Sequence, residues 1–546
     1  MMLRTRSVLA LAAAAAFATA CGSEPVDQTA AWRQLEALMP ADALVIARLP
    51  ALDRVHDELR HYAEAGDLDY RRDDLDRTLR KLPGVGDIDL VSRRHPIGVA
   101  LRVVGGIAPA PVAIVPCDDP AAYVATLPPE TRDSAVVAGD YVAVPMGPGY
   151  RKPESAPALA QSLPDAPLVV RADVAQLAKV FRGPIQAGLN QMERLMKREA
   201  ALTSEQEDVN LDAIAQLYLS GVQTVLECAT TLELSCDSRA GVLDVATRVS
   251  VAPDSDMDGW SHPHGADLTE LARRLDPDAD VSLLMAMDYA TLRPRIEPML
   301  EELLTIYPEE ARVLMRDMLP SYDKLYRHLA GGSAINIRFG DGARVDTWSR
   351  CEDPRAMVRE SVAALQEMPI QRMGVEIVEQ QQSESGGHLI QDLGTRLDWD
   401  RLLNTMSHPG AKAQMSTAAA AFERLLGGDV MRTRMVALPD GVAMRIGGDA
   451  AYRETTASLG EPATAAPPGI LAPALARLKD AGPIVIEALD FAQMTRAIAE
   501  LAPPSVPRPA LRADARAPAV VYGGIAGRDW LAGITVDLAG IMTLSR

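Results

Sequence analysis

Short apolar runs that stop at an aspartate recur along the chain. "VSLLMAM" (Val281–Met287) is closed by "DYATL" (Asp288–Leu292), and "APLVVRA" by "DVAQL" (Asp173–Leu177). The phrase returns as "DWDRL" (Asp398–Leu402), and as "DFAQM" (Asp490–Met494) after "GPIVIEAL". A short continuous apolar run reads as a buried strand. Asp just beyond it is a good N-cap, because its carboxylate accepts N–H bonds from the first turn of a helix. Apolar residues that follow at a spacing of three begin that helix's inner face. Each copy therefore predicts a strand-to-helix corner. "DVSLL" (Asp280–Leu284) has the letters without the surrounding pattern and is set aside as a chance match.

After each corner and a helical stretch, two apolar runs joined by a turn predict a hairpin. These are "TTLELSCDSRAGVLDVATRVSV", "SAINIRFGDGARVDTWS", "RMVALPDGVAMRI" and "AVVYGGIAGRDWLAGITVDL". Asp341-Gly342 and Asp440-Gly441 are the tight-turn signals, since Gly tolerates the positive φ such turns require. A fifth, degenerate unit starts at "ADALVIARLP", enters a helix at Ala51 and ends in "PIGVALRVVGGIAPAPVAIVP". The lead-ins "MPADALV", "LPDAPLV", "DPDADVSL" and "KDAGPIV" read as turns feeding the strands. "CDDPAAYVATL" (Cys117–Leu127) and "CEDPRAMVRES" (Cys351–Ser361) echo each other after two of the hairpins.

Units roughly a hundred residues long are too large for a solenoid repeat and suit tandem small modules. Pro184 to Glu227 reads as two antiparallel helices broken around "LTSEQEDVN", and Arg295 to Leu329 as two more around Pro308 and Pro320. The expected fold is α+β: duplicated modules of strand, helices and antiparallel hairpin, with helices packed on one face of the sheets. The expected organisation is a signal peptide over 1–20, a lipidated tether over 21–36, a first half over 37–255 and a second over 268–546. The halves meet in "APDSDMDGWSHPHGAD" (Ala252–Asp267).

The 546 residues are 48% hydrophobic but only 4% aromatic, so the cores must rest on aliphatic residues and the 22 Met. A formal charge of -19 repels polyanions and argues against nucleic acid as a partner. Arg4 and Arg6 precede an apolar stretch from Val8 to Ala18 that ends in small residues, the pattern of an export signal too short to span a bilayer. "ATAC" (Ala18–Cys21) resembles the lipobox of bacterial lipoproteins. That resemblance implies acylation of Cys21, anchorage to the membrane through an N-terminal lipid and a place in the cell envelope. Gly22 and Ser23 are similar to the residues of lipoproteins sorted to the outer membrane. The repeated "P-x-D-A" strand openings resemble those of large uncharacterised envelope lipoproteins, which imply no activity. Cys117, Cys228, Cys236 and Cys351 remain, with three pairings open and free buried thiols equally compatible.

Few strings carry chemistry. "DSDMDG" (Asp254–Gly259) matches the start of a calcium loop, with Asp254, Asp256 and Asp258 at alternate positions. Its twelfth position is Gly265, so Asp267 or Glu270 would have to complete the shell. His262 and His264 with Asp267 form an incomplete transition-metal set. "SYDK" (Ser321–Lys324) has the Ser-x-x-Lys spacing without its companion strings, and the "C-[DE]-D-P" aspartates read as helix caps. No catalytic residues and no cofactor are assigned, with calcium as the one candidate ion. Met299, Met315 and Met318 lie among Leu and Tyr at helical spacing, which reads first as a face buried on the sheet and second as a groove for an apolar ligand. The leading expectation is a non-enzymatic scaffold that binds an envelope protein or cell-wall component. A carrier or chaperone of an apolar ligand and a metal-dependent envelope hydrolase are the alternatives.

Overall fold

The computed structural model describes residues 28–544 apart from 81–85, 107, 155, 162, 204–210, 240, 308, 341, 405–418, 420–422, 424–427, 450–460, 463, 502–510 and 513–514. Helix α1 (Gln28–Glu36) leads to β1 (Val45–Leu49), α2 (Leu52–Gly66), the hairpin β2 (Ile97–Val104) and β3 (Ala108–Pro116), α3 (Pro120–Thr126), and strands β4 (Val136–Ala138) and β5 (Tyr141–Pro145). The second module is β6 (Leu168–Asp173), α4 (Val174–Val180), α5 (Arg182–Thr203), α6 (Leu211–Cys228), β7 (Ala229–Arg239) and β8 (Val242–Val251). The third is α7 (Leu268–Arg273), β9 (Val281–Ala286), α8 (Tyr289–Leu304), α9 (Glu309–Tyr326), β10 (Leu329–Gly340), β11 (Gly342–Cys351) and α10 (Pro354–Glu367). Strands β12 (Val375–Ser385) and β13 (His388–Leu397) follow, then α11 (Trp399–Asn404) and the hairpin β14 (Val430–Ala437) and β15 (Gly441–Gly447). The last module is α12 (Ala472–Arg477), β16 (Ile484–Asp490), α13 (Phe491–Leu501), β17 (Pro518–Ala526) and β18 (Asp529–Asp537).

All four predicted corners form. Asp173 accepts from Gln176 N–H at 2.8 Å, Asp288 from Ala290 and Thr291, Asp398 from Arg401 at 2.9 Å, and Asp490 from Ala492 and Gln493. In the degenerate first module Ala51 stands at the cap and supplies no side-chain bond. Asp119 and Asp353 likewise cap α3 and α10. In the third module α8 and α9 return the chain to the end where β9 stopped, so β10 runs back beside it.

The fold is α+β, and among the described residues eighteen strands form one antiparallel sheet. The openers of the first two modules pair back to back, giving the block β3-β2-β1-β6-β7-β8. The third and last modules repeat the arrangement as β11-β10-β9-β16-β17-β18. The two blocks join through β8 and β18. Outside β3 lie β5 and β4, and outside β11 lie β15, β14, β13 and β12. The "CDDP" and "CEDP" echoes therefore mark the same topological point in each block, the end of its third strand. The free edges are blunted by the three-residue β4 and by the polar, exposed β12.

One face is covered by α2 and α3, which pack with Val115, Cys117 and Val144, and by α10, which packs with Cys351, Leu389 and Met435. The opposite face is covered by the short helices that precede openers. Leu35 and Leu38 of α1 and its turn pack on Ile46 and Ala100, and Leu271, Leu275, Ala474 and Leu478 pack on Leu284, Ile484 and Tyr522. Helix α1 lies within the stretch expected to be tether, and Leu35 is fully buried. Arg–carboxylate pairs brace the same face, including Arg102 on Asp42, Arg434 on Asp392, Arg445 on Asp346 and Arg477 on Asp244. Helix α9 runs through Pro320, which was expected to break it, and α8 contains Pro294 and Pro298. Each proline removes a helical hydrogen bond. Packing and perimeter ion pairs hold these helices instead.

Candidate functional site

Helices α8 and α9 stand off the sheet and line an open-sided cavity of about 660 Å³ between themselves, the end of β9 and the start of β10. Ile296, Leu300, Leu303 and Leu304 of α8 line one wall, and Met315, Met318, Leu319 and Tyr322 of α9 the other. Their spacing of three and four places each set on a single helix face. Met285 and Met287 supply the floor, with Leu329, Gly332 and Ser333 beside them. Tyr289 and Tyr307 complete the lining. Three tyrosines and Ser333 are the only lining residues with polar side-chain atoms, and the Ser333 hydroxyl is taken up by Ser349 at 2.9 Å. Among the described residues the lining contains no charged side chain. Volume and chemistry fit an apolar small molecule or alkyl chain, and the thioethers make the wall adaptable.

The Met-rich pattern therefore lines a void instead of packing flat. Met315 and Met318 face it, while Met299 lies on the outside, 57% exposed. The helical hairpin is fastened at its polar perimeter. Arg293 bonds Asp323 at 2.5 Å and Arg316 bonds Glu301 at 2.6 Å, tying α8 to α9. Lys324 pairs with Glu367, and Arg327 and His328 with Glu360, tying α9 to α10. Exposed pairs of this kind contribute roughly 0–1 kcal/mol each, so the hairpin belongs to the weakly held part of the fold.

The segment 252–267 is a strap across the β17–β18 hairpin and the base of α8. Ser261 bonds Ile525 O and Gly527 N–H, Trp530 donates to Met257 O, and Trp260 meets the Trp530 ring at 5.8 Å. Arg295 of α8 donates to Asp258 O at 2.9 Å and lies over Trp260. Gly331 adopts φ 94° beneath the strap, where a Cβ would stand 1.8 Å from His264 O. Of the four aspartates singled out for metal, Asp258 and Asp267 make structural contacts through their carboxylates. The Asp258 carboxylate accepts from Asp254 and Gly259 N–H and pairs with Arg528, contacts that hold its pKa below the usual range. Asp267 caps α7. Asp254 turns the chain at φ 59°, and Asp256 accepts from Trp260 through its backbone carbonyl. His262 Nδ1 lies at 3.0 Å from Trp260 O and its Nε2 accepts from Asp288 N–H, while His264 accepts from Ala266 N–H. Among the described residues no three His, Cys, Asp or Glu side chains are grouped to hold a metal ion.

Cys117, Cys228, Cys236 and Cys351 are free and buried, and burial pushes Cys117, Cys236 and Cys351 up to about 12. Lys324 of "SYDK" is engaged by Glu367. Cys21 lies outside the described residues. A polar cluster without a sequence signal joins α2 to the helix Arg72–Leu79 and to the loop that holds Arg93. His56, 5% exposed, contacts the Tyr70 hydroxyl at 2.5 Å and Asp76 at 3.3 Å, and Arg93 grips both Asp76 oxygens.

No family model and no curated protein matches the chain. Among solved structures, crystal form III of TP0453 is similar at 8% identity and a TM-score of 0.25, over 51% of this chain and 98% of that one. Crystal form I of TP0453 gives 9% identity and a TM-score of 0.22 over the same shares. At that level the likeness carries no assignment. Among the described residues no helix is long and apolar enough to cross a membrane.

Proposed function

We propose that the protein is a lipid-anchored envelope protein that binds an apolar ligand without transforming it, as a carrier or chaperone. The observation that carries this is the Met-, Leu- and Tyr-lined cavity under α8 and α9. A lining with no charged side chain among the described residues offers little to acid–base or nucleophilic chemistry and much to hydrophobic transfer, worth about 0.8 kcal/mol per buried methylene. The cavity favours this reading over a pure scaffold. The hydrolase reading needs a carboxylate cluster at the strap, where Asp258 and Asp267 are already occupied. The lipobox-like "ATAC" supports anchorage through Cys21, with the outer membrane suggested by Gly22 and Ser23. Native mass spectrometry of the gently purified full chain tests the proposal. Co-purifying mass that matches a lipid, and disappears in Met318→Trp, is expected. A bare polypeptide mass that also fails to take up added lipid would overturn it.

A further inference from the structure

We infer that the ligand is a straight-chain acyl lipid whose chain leaves the cavity and continues across the strip of β16, β17 and β18 that α13 leaves exposed, at Val485, Val521 and Ile534. The inference rests on the apolar-ligand reading of the cavity and names its ligand class. Met285 on the cavity floor is the direct cross-strand neighbour of Val485. Beyond it, on the same face, Val485 stands opposite Gly523, and Val521 opposite Ile534. The opposite face of these strands is core, with Ile486, Tyr522 and Thr535 each 3% exposed or less. On the cavity face, Val485, Val521 and Ile534 are 40%, 43% and 37% exposed.

Isolated exposed apolar residues are ordinary, but here three lie side by side on neighbouring strands and continue an apolar cavity. Gly523, between Val485 and Val521, contributes no side chain, so the strip is lowest at its middle. Three interstrand steps make it ~14 Å wide from β9 to β18. A compact apolar ligand would be satisfied by the cavity alone; only a chain uses both surfaces. Glu487, exposed beside Val521, is the one ionised group among these positions and disfavours an anionic head there.

The test is calorimetric titration of the full-length protein with saturated monoacylglycerols of increasing chain length. The comparison variant is Val485→Thr/Val521→Thr/Ile534→Thr, which keeps the β-branched shape and strand propensity. Wild-type affinity should rise about fourfold per added methylene through the longest chains. The triple variant should match wild type for short chains and flatten for long ones. Parallel behaviour at every length would overturn the strip while leaving the cavity reading intact. Wild-type affinity that flattens at short lengths would do the same. Unchanged binding of all lengths by Met318→Trp would instead sink the cavity reading. Should the triple variant misfold, Ile534→Lys alone should reproduce the flattening. A wild-type oligomer that the triple variant dissolves, seen by light scattering, would reassign the strip to contact between copies.

Discussion

Replacing Asp490 by Ala should cost far more stability than the same change at Asp288, although both residues close the same sequence phrase. Asp490 is 6% exposed, and one of its oxygens accepts from Ala492 at 2.9 Å, Gln493 at 3.1 Å and Ala517 at 3.3 Å. Loss of an N-cap costs about 1 kcal/mol. The Ala517 N–H belongs to a fully buried residue of different origin, just before the start of β17. Stranding it adds the desolvation penalty of an unmade hydrogen bond, ~1–3 kcal/mol. The sum for Asp490→Ala is about 2–4 kcal/mol. Asp288 caps Ala290 and Thr291 N–H and accepts the Thr291 hydroxyl at 2.6 Å, all near solvent that can replace it. Its loss should cost about 1 kcal/mol. Urea unfolding followed by circular dichroism and Trp fluorescence measures both, provided the slope of the transition is unchanged. Asp490→Asn keeps an acceptor and should recover much of the loss. Equal midpoint shifts for the two alanine variants would refute the distinction between a cap and a cap that also closes the sheet.

Other outcomes follow from particular contacts. Asp244→Ala strands Arg477 and removes acceptors from Tyr522 and Thr535 where the two blocks join, and should destabilise by about 3–5 kcal/mol in the same urea assay. Burial lowers the His56 pKa despite Asp76. The contribution of neutral His56 is complete above its unfolded value of about 6.5 and is lost as pH falls through the lower folded value. A melting profile from pH 7 to 5 should therefore decline more steeply in wild type than in His56→Gln. Asp258→Ala should raise hydrogen exchange across 252–267, because it removes acceptors from Asp254 and Gly259 and a partner from Arg528. Cys21→Ser should abolish the acylated form detected by intact mass, and its persistence would contradict the anchorage reading.

The corners and hairpins were legible because their signals are local: a carboxylate beside the N–H groups it caps, or two apolar runs flanking Pro439-Asp440. The order of the strands was not. The pairing of β1 with β6 and β9 with β16 joins segments more than a hundred residues apart. The short helices before the openers leave no periodic signal, because α7 and α12 are six residues each, too brief for a helical period to register. In retrospect Leu35 and Leu38, Leu271 and Leu275, and Leu475 and Leu478 repeat a Leu spacing of three or four ahead of each strand. The cavity lay beyond sequence for a different reason. A stripe of Met and Leu states that one helix face avoids water, but not whether it meets a sheet or a void. Pro320 suggested a break, whereas α9 runs through it.

The central claim is that the space between α8, α9 and the sheet holds an apolar ligand. Its most direct measurement is native mass spectrometry of the full-length protein before and after incubation with a monoacylglycerol, beside Met318→Trp. Stoichiometric uptake by the wild type and its loss in the folded variant are expected. No uptake by folded wild type, or undiminished uptake by Met318→Trp, would contradict the claim.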